Sequence, residues 1–169
     1  GMEVLPKMDS GSFFVTLETP SGSSLEETER VVRQVEERLK LEPEVVKIQS
    51  QVGFEQGMRS LSSFGVQGPT QGFVTATLTD RTDREDTIWE IEARVRQEIA
   101  KIPGIRTSAV RELGNTAKST TSAPIIVRIS GDDPLVLDKL GEQVKRKIAQ
   151  VPNLIEPTRN WRFDQKQVL

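Results

Sequence analysis

A chain of 169 residues is long enough for one sizeable domain, or for one small complete domain plus part of another. Lys and Arg number 23 against 25 Asp and Glu, which leaves no basic footprint for nucleic acid, and the lack of any Cys or His removes thiolate nucleophiles, disulfides, imidazole bases and the commonest soft metal ligands. No window supplies the roughly 18 to 20 consecutive apolar residues of a membrane-spanning helix, and the opening GMEVLPKMD lacks the basic and apolar regions of a signal peptide, Gly1 reading as a tag-cleavage remnant.

Strand-like runs alternate with helical runs along the chain. FFVTLETP (13–20) alternates apolar and polar residues as a half-buried strand does. Ser24 then caps a helix, with Glu27 completing a capping box. Leu25, Val32, Val35 and Leu39 are predicted to form its buried stripe. Pro43 stops it, and Val46, Ile48 and Val52 mark the next strand. A second unit opens with GFVTATLTD (72–80). Its helix is expected to begin near Asp83 and to bury Ile88, Ile91, Val95, Ile99 and Ile102, before Pro103 and the strand IRTSAVREL (105–113). These two units give βαββαβ, the ferredoxin-like pattern.

A third strand, PIIVRISG (124–131), leads into a helix capped by Asp133 with Pro134 at its first position, and Leu137, Leu140, Val144, Ile148 and Val151 repeat the apolar stripe. LIEPTRNWRF (154–163) would return as a strand. The expected fold class is therefore α+β, a ferredoxin-like βαββαβ sandwich plus an additional βαβ half-subdomain. The organisation is read as a lead-in over 1–12, a complete subdomain over 13–118 and a half unit over 119–169. A lone βαβ half keeps an unpaired strand edge and is expected to be marginally stable by itself, prone to strand addition or to folding back.

The candidate chemistry is sparse. Glu26, Glu27, Glu29, Glu36 and Glu37 read as a solvated helix face paired with Arg30, Arg33 and Lys40 rather than as an acid and base pair. Asp132 and Asp133 read as a turn and a cap, and the glycines between 53 and 72 are followed by no Gly-Lys-Ser/Thr phrase. Phe13, Phe14 and Phe73 lack the basic, aromatic-interleaved setting of an RNA-binding sheet. What stands out is GFEQGMRSLSSFGVQGPTQG (53–72), a long loop carrying Phe54, Met58, Leu61 and Phe64 on a small, polar backbone. Such side chains need a groove, a partner or a ligand, so they either anchor the loop to its own domain or line a pocket for hydrophobic or amphipathic molecules. No catalytic residue, metal site or cofactor is expected.

Taken together, Leu5-Pro6, Asp9, Gly11, Pro20, Glu27-Thr28, Pro43-Glu44-Val45 and Gly53-Phe54 follow one another in an order that resembles the second large periplasmic loop of resistance-nodulation-division (RND) efflux transporters of the acriflavine-resistance, hydrophobe-amphiphile type. PIIVRISGDDP and VPNL resemble the start of that family's next porter subdomain. The resemblance implies an excised extracytoplasmic porter segment that follows the seventh transmembrane helix of an inner-membrane, proton-driven multidrug antiporter. That pump would be a homotrimer working with a periplasmic adaptor, and its proton relay would lie outside this chain. It also implies that 53–72 acts as a switch loop beside a substrate cleft, with Gln49 and Thr75 standing where multidrug members often carry pocket phenylalanines. The heavy-metal branch relies on a methionine cluster, whereas Met2, Met8 and Met58 are the only methionines here, which favours amphiphiles over copper or silver. The alternative is a stand-alone ferredoxin-like ligand-sensing or interaction module; an acylphosphatase-like enzyme lacks its Arg and Asn anion-binding turn.

Overall fold

The computed structural model describes residues 9–53, 68–113, 127–152 and 154, and the chain divides into two compact units, 1–120 and 121–169. The first unit runs β1 (Ser12–Glu18), α1 (Leu25–Leu39), β2 (Val45–Val52), β3 (Gln71–Leu78), a 3-10 turn (Arg81–Asp83), α2 (Ile88–Ile99) and β4 (Thr107–Glu112). Its four strands form an antiparallel sheet in the order β2-β3-β1-β4, so β1 and β3 are central and each helix crosses between strands that are not neighbours. This is the ferredoxin-like arrangement.

Period-two alternation on the central strands sorts side chains onto two faces. Phe13, Val15 and Leu17 of β1, Val74, Ala76 and Leu78 of β3 and Val110 of β4 join one core with Val31, Val32, Val35 and Leu39 of α1 and Ile88, Ile91, Val95 and Ile99 of α2. Both helices thus cover the same face. Ile102 closes that core beyond α2, as expected from its stripe. Gly72 marks where α1 comes closest to the sheet: a Cβ there would lie 2.5 Å from Val32 Cγ2 and 3.2 Å from Leu17.

The helix ends follow local rules. The Ser24 amide donates to Glu27 Oε2 at 2.9 Å and Glu27 N–H returns a bond to Ser24 Oγ at 3.2 Å, completing the capping box. Outside it, Arg33 pairs with Glu29 at 2.5 Å and Lys40 with Glu37 at 2.7 Å on exposed faces, and Ser50 Oγ reaches Glu36. Two connections lock elements together. Arg94 joins α2 to Glu42 and Glu44 before β2, at 3.1 Å each, and also to Asp86. Arg96 donates to Glu92 at 2.7 Å and to the Val110 carbonyl at 2.8 Å, tying α2 to β4.

Three positions differ from the sequence expectation, each for a local reason. Leu25 is 46% exposed and Val31 takes its place in the core; at the first turn, Leu25 overhangs Gly53 instead, with Cδ1 2.9 Å from where a Gly53 Cβ would be. Val46 is 61% exposed because the register shifts between Val45 and Lys47, a bulge that turns the intervening side chain outward. The second helix starts at Ile88, not near Asp83. Thr87 and Glu90 form its capping box, while residues 79–86 wrap the buried Arg84 guanidinium, which donates to the carbonyls of Thr79 at 3.3 Å and Asp86 at 2.7 Å.

That guanidinium meets Asp9, just ahead of β1. Asp9 also accepts from the amides of Gly11 at 3.1 Å and Ile88 at 3.0 Å, the latter one of the unpaired donors of the α2 N-terminus. Burial pushes the Asp9 carboxyl up, but the Arg84 hydrogen bond and the two amides outweigh it and hold the group below its ordinary 3.8.

In the second unit the described element is α3 (Pro134–Ile148), where Asp133 caps by accepting from the amides of Leu135 at 2.8 Å and Val136 at 3.3 Å. None of its residues is buried; the stripe from Leu137 to Val151 is at best half-buried, with Leu140 and Val151 exposed. Val127–Ser130, predicted as strand, joins no ladder and is exposed, in keeping with the lack of a pairing partner for it among the described residues. Residues 124–126 and 155–163, including Trp161, lie outside the described residues.

Two stability measurements follow from this packing. Gly72→Ala is expected to cost about 1 to 3 kcal/mol in thermal or denaturant unfolding through overpacking, and adding Val32→Ala should recover part of the methyl clash so that the two losses do not add. For Asp9, a carboxyl held below its unfolded value contributes stability that is complete above about pH 4 and lost as pH falls through the folded value. The stability gap between wild type and Asp9→Asn should therefore be constant from neutral pH to about 4 and narrow below it.

Candidate functional site

The second face of the first unit's sheet carries no helix among the described residues. The ladder register sets its rows across the strands. Gln51, Phe73, Thr16 and Ala109 form one row; Gln49, Thr75, Phe14 and Arg111 form the next. Lys47, Thr77 and Ser12 continue it at one end, and Gln71, Glu18 and Thr107 at the other.

An aromatic pair lies at the middle of this face. Phe14 and Phe73 are diagonal neighbours on adjacent strands with ring centroids 5.4 Å apart and planes inclined by 30°. Phe14 is half-buried and Phe73 is 5% exposed. Around them are hydroxyls and amides: Thr16, Thr75, Gln49 and Gln51. Thr75 Oγ1 donates to the Gln49 carbonyl at 3.3 Å across the β2–β3 ladder. Charge is confined to the margins, at Lys47, Glu18 and Arg111, and the Thr107 hydroxyl donates to Glu18 at 3.5 Å. The centre is thus apolar, with half-buried Phe14 over buried Phe73 and Ala109, and its surround is hydroxyl and amide except for Arg111 beside Phe14 on β4.

The loop that the sequence singles out opens from one end of this face. Gly53, at φ +69°, closes β2 in a left-handed conformation suited to glycine, and its amide donates to the Gln71 carbonyl at 2.9 Å. On the return side, Gln71 N–H reaches the Gly68 carbonyl at 3.2 Å. The Thr70 carbonyl accepts from the Thr19 amide at 2.9 Å and from its hydroxyl at 3.2 Å, and the Thr19 hydroxyl pairs in turn with buried Thr28 at 3.0 Å. Both roots of the loop are pinned at the end of β1 nearest Glu18. Phe54, Met58, Leu61 and Phe64 lie outside the described residues.

Of the residues weighed from sequence, the structure brings Gln49 and Thr75 together beside the phenylalanine pair. Phe13 belongs instead to the core beneath the helices. The aromatic pair itself was missed as a site. Its signal was present, because Phe14 and Phe73 occupy the strand positions whose parity is opposite to the core-facing Phe13, Val15 and Val74.

A family model described as the AcrB/AcrD/AcrF family matches residues 1–169. No curated protein matches the sequence. Among solved structures, two crystal forms of a heavy metal efflux pump are similar, with TM-scores of 0.74 and 0.68 at 17% and 18% identity, over 91% and 88% of this chain. The chain spans 16% of the length of each of those proteins, and at such identities the likeness is one of fold. Among the described residues, no helix is long and apolar enough to cross a membrane. With one family model running from the first residue to the last over a ferredoxin-like sheet, the chain belongs to the AcrB/AcrD/AcrF family and is a segment of an RND efflux transporter.

Proposed function

We propose that this chain is the extracytoplasmic substrate-handling porter region of a proton-driven efflux pump for amphiphilic compounds. In this reading residues 13–118 are one complete porter subdomain and 119–169 the first half of the next. The observation that carries it is the sheet face opposite the helices, where the half-buried Phe14 ring stacks on buried Phe73 inside a rim of Thr and Gln. An aromatic centre with a few hydrogen-bonding groups around it suits molecules that are part apolar and part polar. No catalytic group is invoked; the work is binding and release.

The two similar structures named above are crystal forms of a heavy metal efflux pump, so a metal cargo is a competing reading. Soft cations are held by thiolates, thioethers or imidazoles. This segment has no Cys, no His and 3 Met, and among the described residues the centre of the face opposite the helices is phenyl, hydroxyl and amide, with Lys47, Glu18 and Arg111 at its margins. Those groups favour an organic amphiphile. The intact pump, in the same reading, is an inner-membrane homotrimer in which the remainder of the transporter chain supplies the proton path and a periplasmic adaptor joins it.

Dye-binding titration on the full-length transporter tests the cargo. Phe14→Ala, Phe54→Ala and Phe64→Ala are each expected to weaken binding of a fluorescent amphiphile by about two- to tenfold, the loss of one aromatic contact worth ~0.5 to 1.5 kcal/mol. Unchanged affinity and unchanged drug resistance in Phe54→Ala and Phe64→Ala would leave the loop aromatics with the anchoring role alone. Unchanged affinity in Phe14→Ala as well would remove the open face from the substrate path.

A further inference from the structure

Asp9 is bonded far more fully than a lead-in residue requires. Its carboxylate takes the Arg84 guanidinium, the Gly11 amide and the Ile88 amide, and Arg81 Nε lies 3.7 Å away. The Asp9 side chain is 10% exposed and that of Arg84 is 1% exposed. Arg84 is itself fixed by the carbonyls of Thr79 and Asp86, so Asp9 grips the whole connection from β3 to α2. A buried ion pair of this kind adds little net stability over a well-packed apolar pair, but removing one partner is costly because it leaves the other charge buried and uncompensated.

The neighbouring residues extend the grip to the rest of that sheet end. The Ser10 amide donates to Glu112 Oε1 at 2.9 Å, the Leu78 amide to the Gly11 carbonyl at 2.8 Å and the Leu113 amide to the Ser12 carbonyl at 2.7 Å. From this end β1 runs seven residues to Glu18, about 20 Å at the usual rise of a strand. Along that length it is laddered on both sides by β3 and β4 and carries Phe14. Its far end meets the roots of the 53–72 loop through Thr19 and Thr70. A strand paired on both edges, as β1 and β3 both are, is a stiff path between the two ends.

We propose that Asp9 is a positioning residue for transport, the joint that makes residues 9–11, β1 and the start of α2 move as one body and so ties them to the loop roots. The transport part rests on the function proposed above; the joint does not.

Two measurements separate them. By hydrogen exchange on the 169-residue chain, Asp9→Asn should lower protection at residues 10–13 and 84–90 together, by at least tenfold, while the β2–β3 ladder changes less than twofold. Loss confined to residues 10–13, or spread evenly through the sheet, overturns the joint. In the full-length transporter reconstituted in vesicles, Asp9→Asn should lower the maximal efflux rate of a fluorescent amphiphile several-fold with its half-saturating concentration unchanged, and Asp9→Glu should restore part of the rate. A full rate in Asp9→Asn, or a changed half-saturation with an unchanged rate, overturns the positioning role. A wild-type transporter that moves no amphiphile would count against the proposed cargo, and the exchange result would still decide the joint.

Discussion

The strict two-residue alternation of β1 and β3 is the constraint on which the rest of this structure depends. One parity, Phe13, Val15, Leu17, Val74 and Ala76, is consumed by the core under both helices. The other parity is thereby forced onto the opposite face, where Phe14, Thr16, Phe73 and Thr75 gather. A slip of one residue in either strand would exchange the two sets and send the core to the open face. Gly72 sharpens the constraint, since the approach of Val32 and Leu17 leaves no room for a side chain at that register position.

The two sheet ends are held by different means. At one, a buried ion pair and several backbone bonds collect residues 9–11, the ends of β3 and β4 and the start of α2 around Asp9. At the other, the buried hydroxyls of Thr19 and Thr28 and the left-handed Gly53 fix the roots of the long loop. On the outer face of α1 the ion pairs are of the ordinary solvated kind, screened by water and contributing little. Many of the ordered polar contacts thus lie where the chain changes direction, and the middle of the face between them holds aromatic and neutral polar groups with Arg111 beside Phe14.

Much of this was legible in the sequence, for physical reasons. Helical stripes such as Ile88, Ile91, Val95 and Ile99 repeat at the helical period, and Ser24 with Glu27 is a capping box that needs no tertiary information. What escaped required knowledge of neighbours. Val46 looks like its flanking valine and isoleucine until the bulge against β3 turns it out. The start of α2 was placed early because Arg84 seems an ordinary polar residue in sequence, and only the fold shows it buried against Asp9. At α3, the periodic stripe was visible, yet none of it is buried within the second unit. Of the site, Gln49 and Thr75 were reachable through family resemblance, whereas the Phe14–Phe73 pair needed the strand register.

The central claim is that the open sheet face contacts the transported molecule. Since this segment contains no cysteine, single substitutions can be labelled selectively in a full-length transporter freed of its other cysteines. Thr75→Cys reports the open face, and Arg33→Cys, on an outer side chain of α1 that is 71% exposed, serves as the reference. Maleimide labelling of Thr75→Cys should slow several-fold at saturating amphiphile while Arg33→Cys reacts at an unchanged rate. Equal labelling of Thr75→Cys with and without the amphiphile would contradict the account.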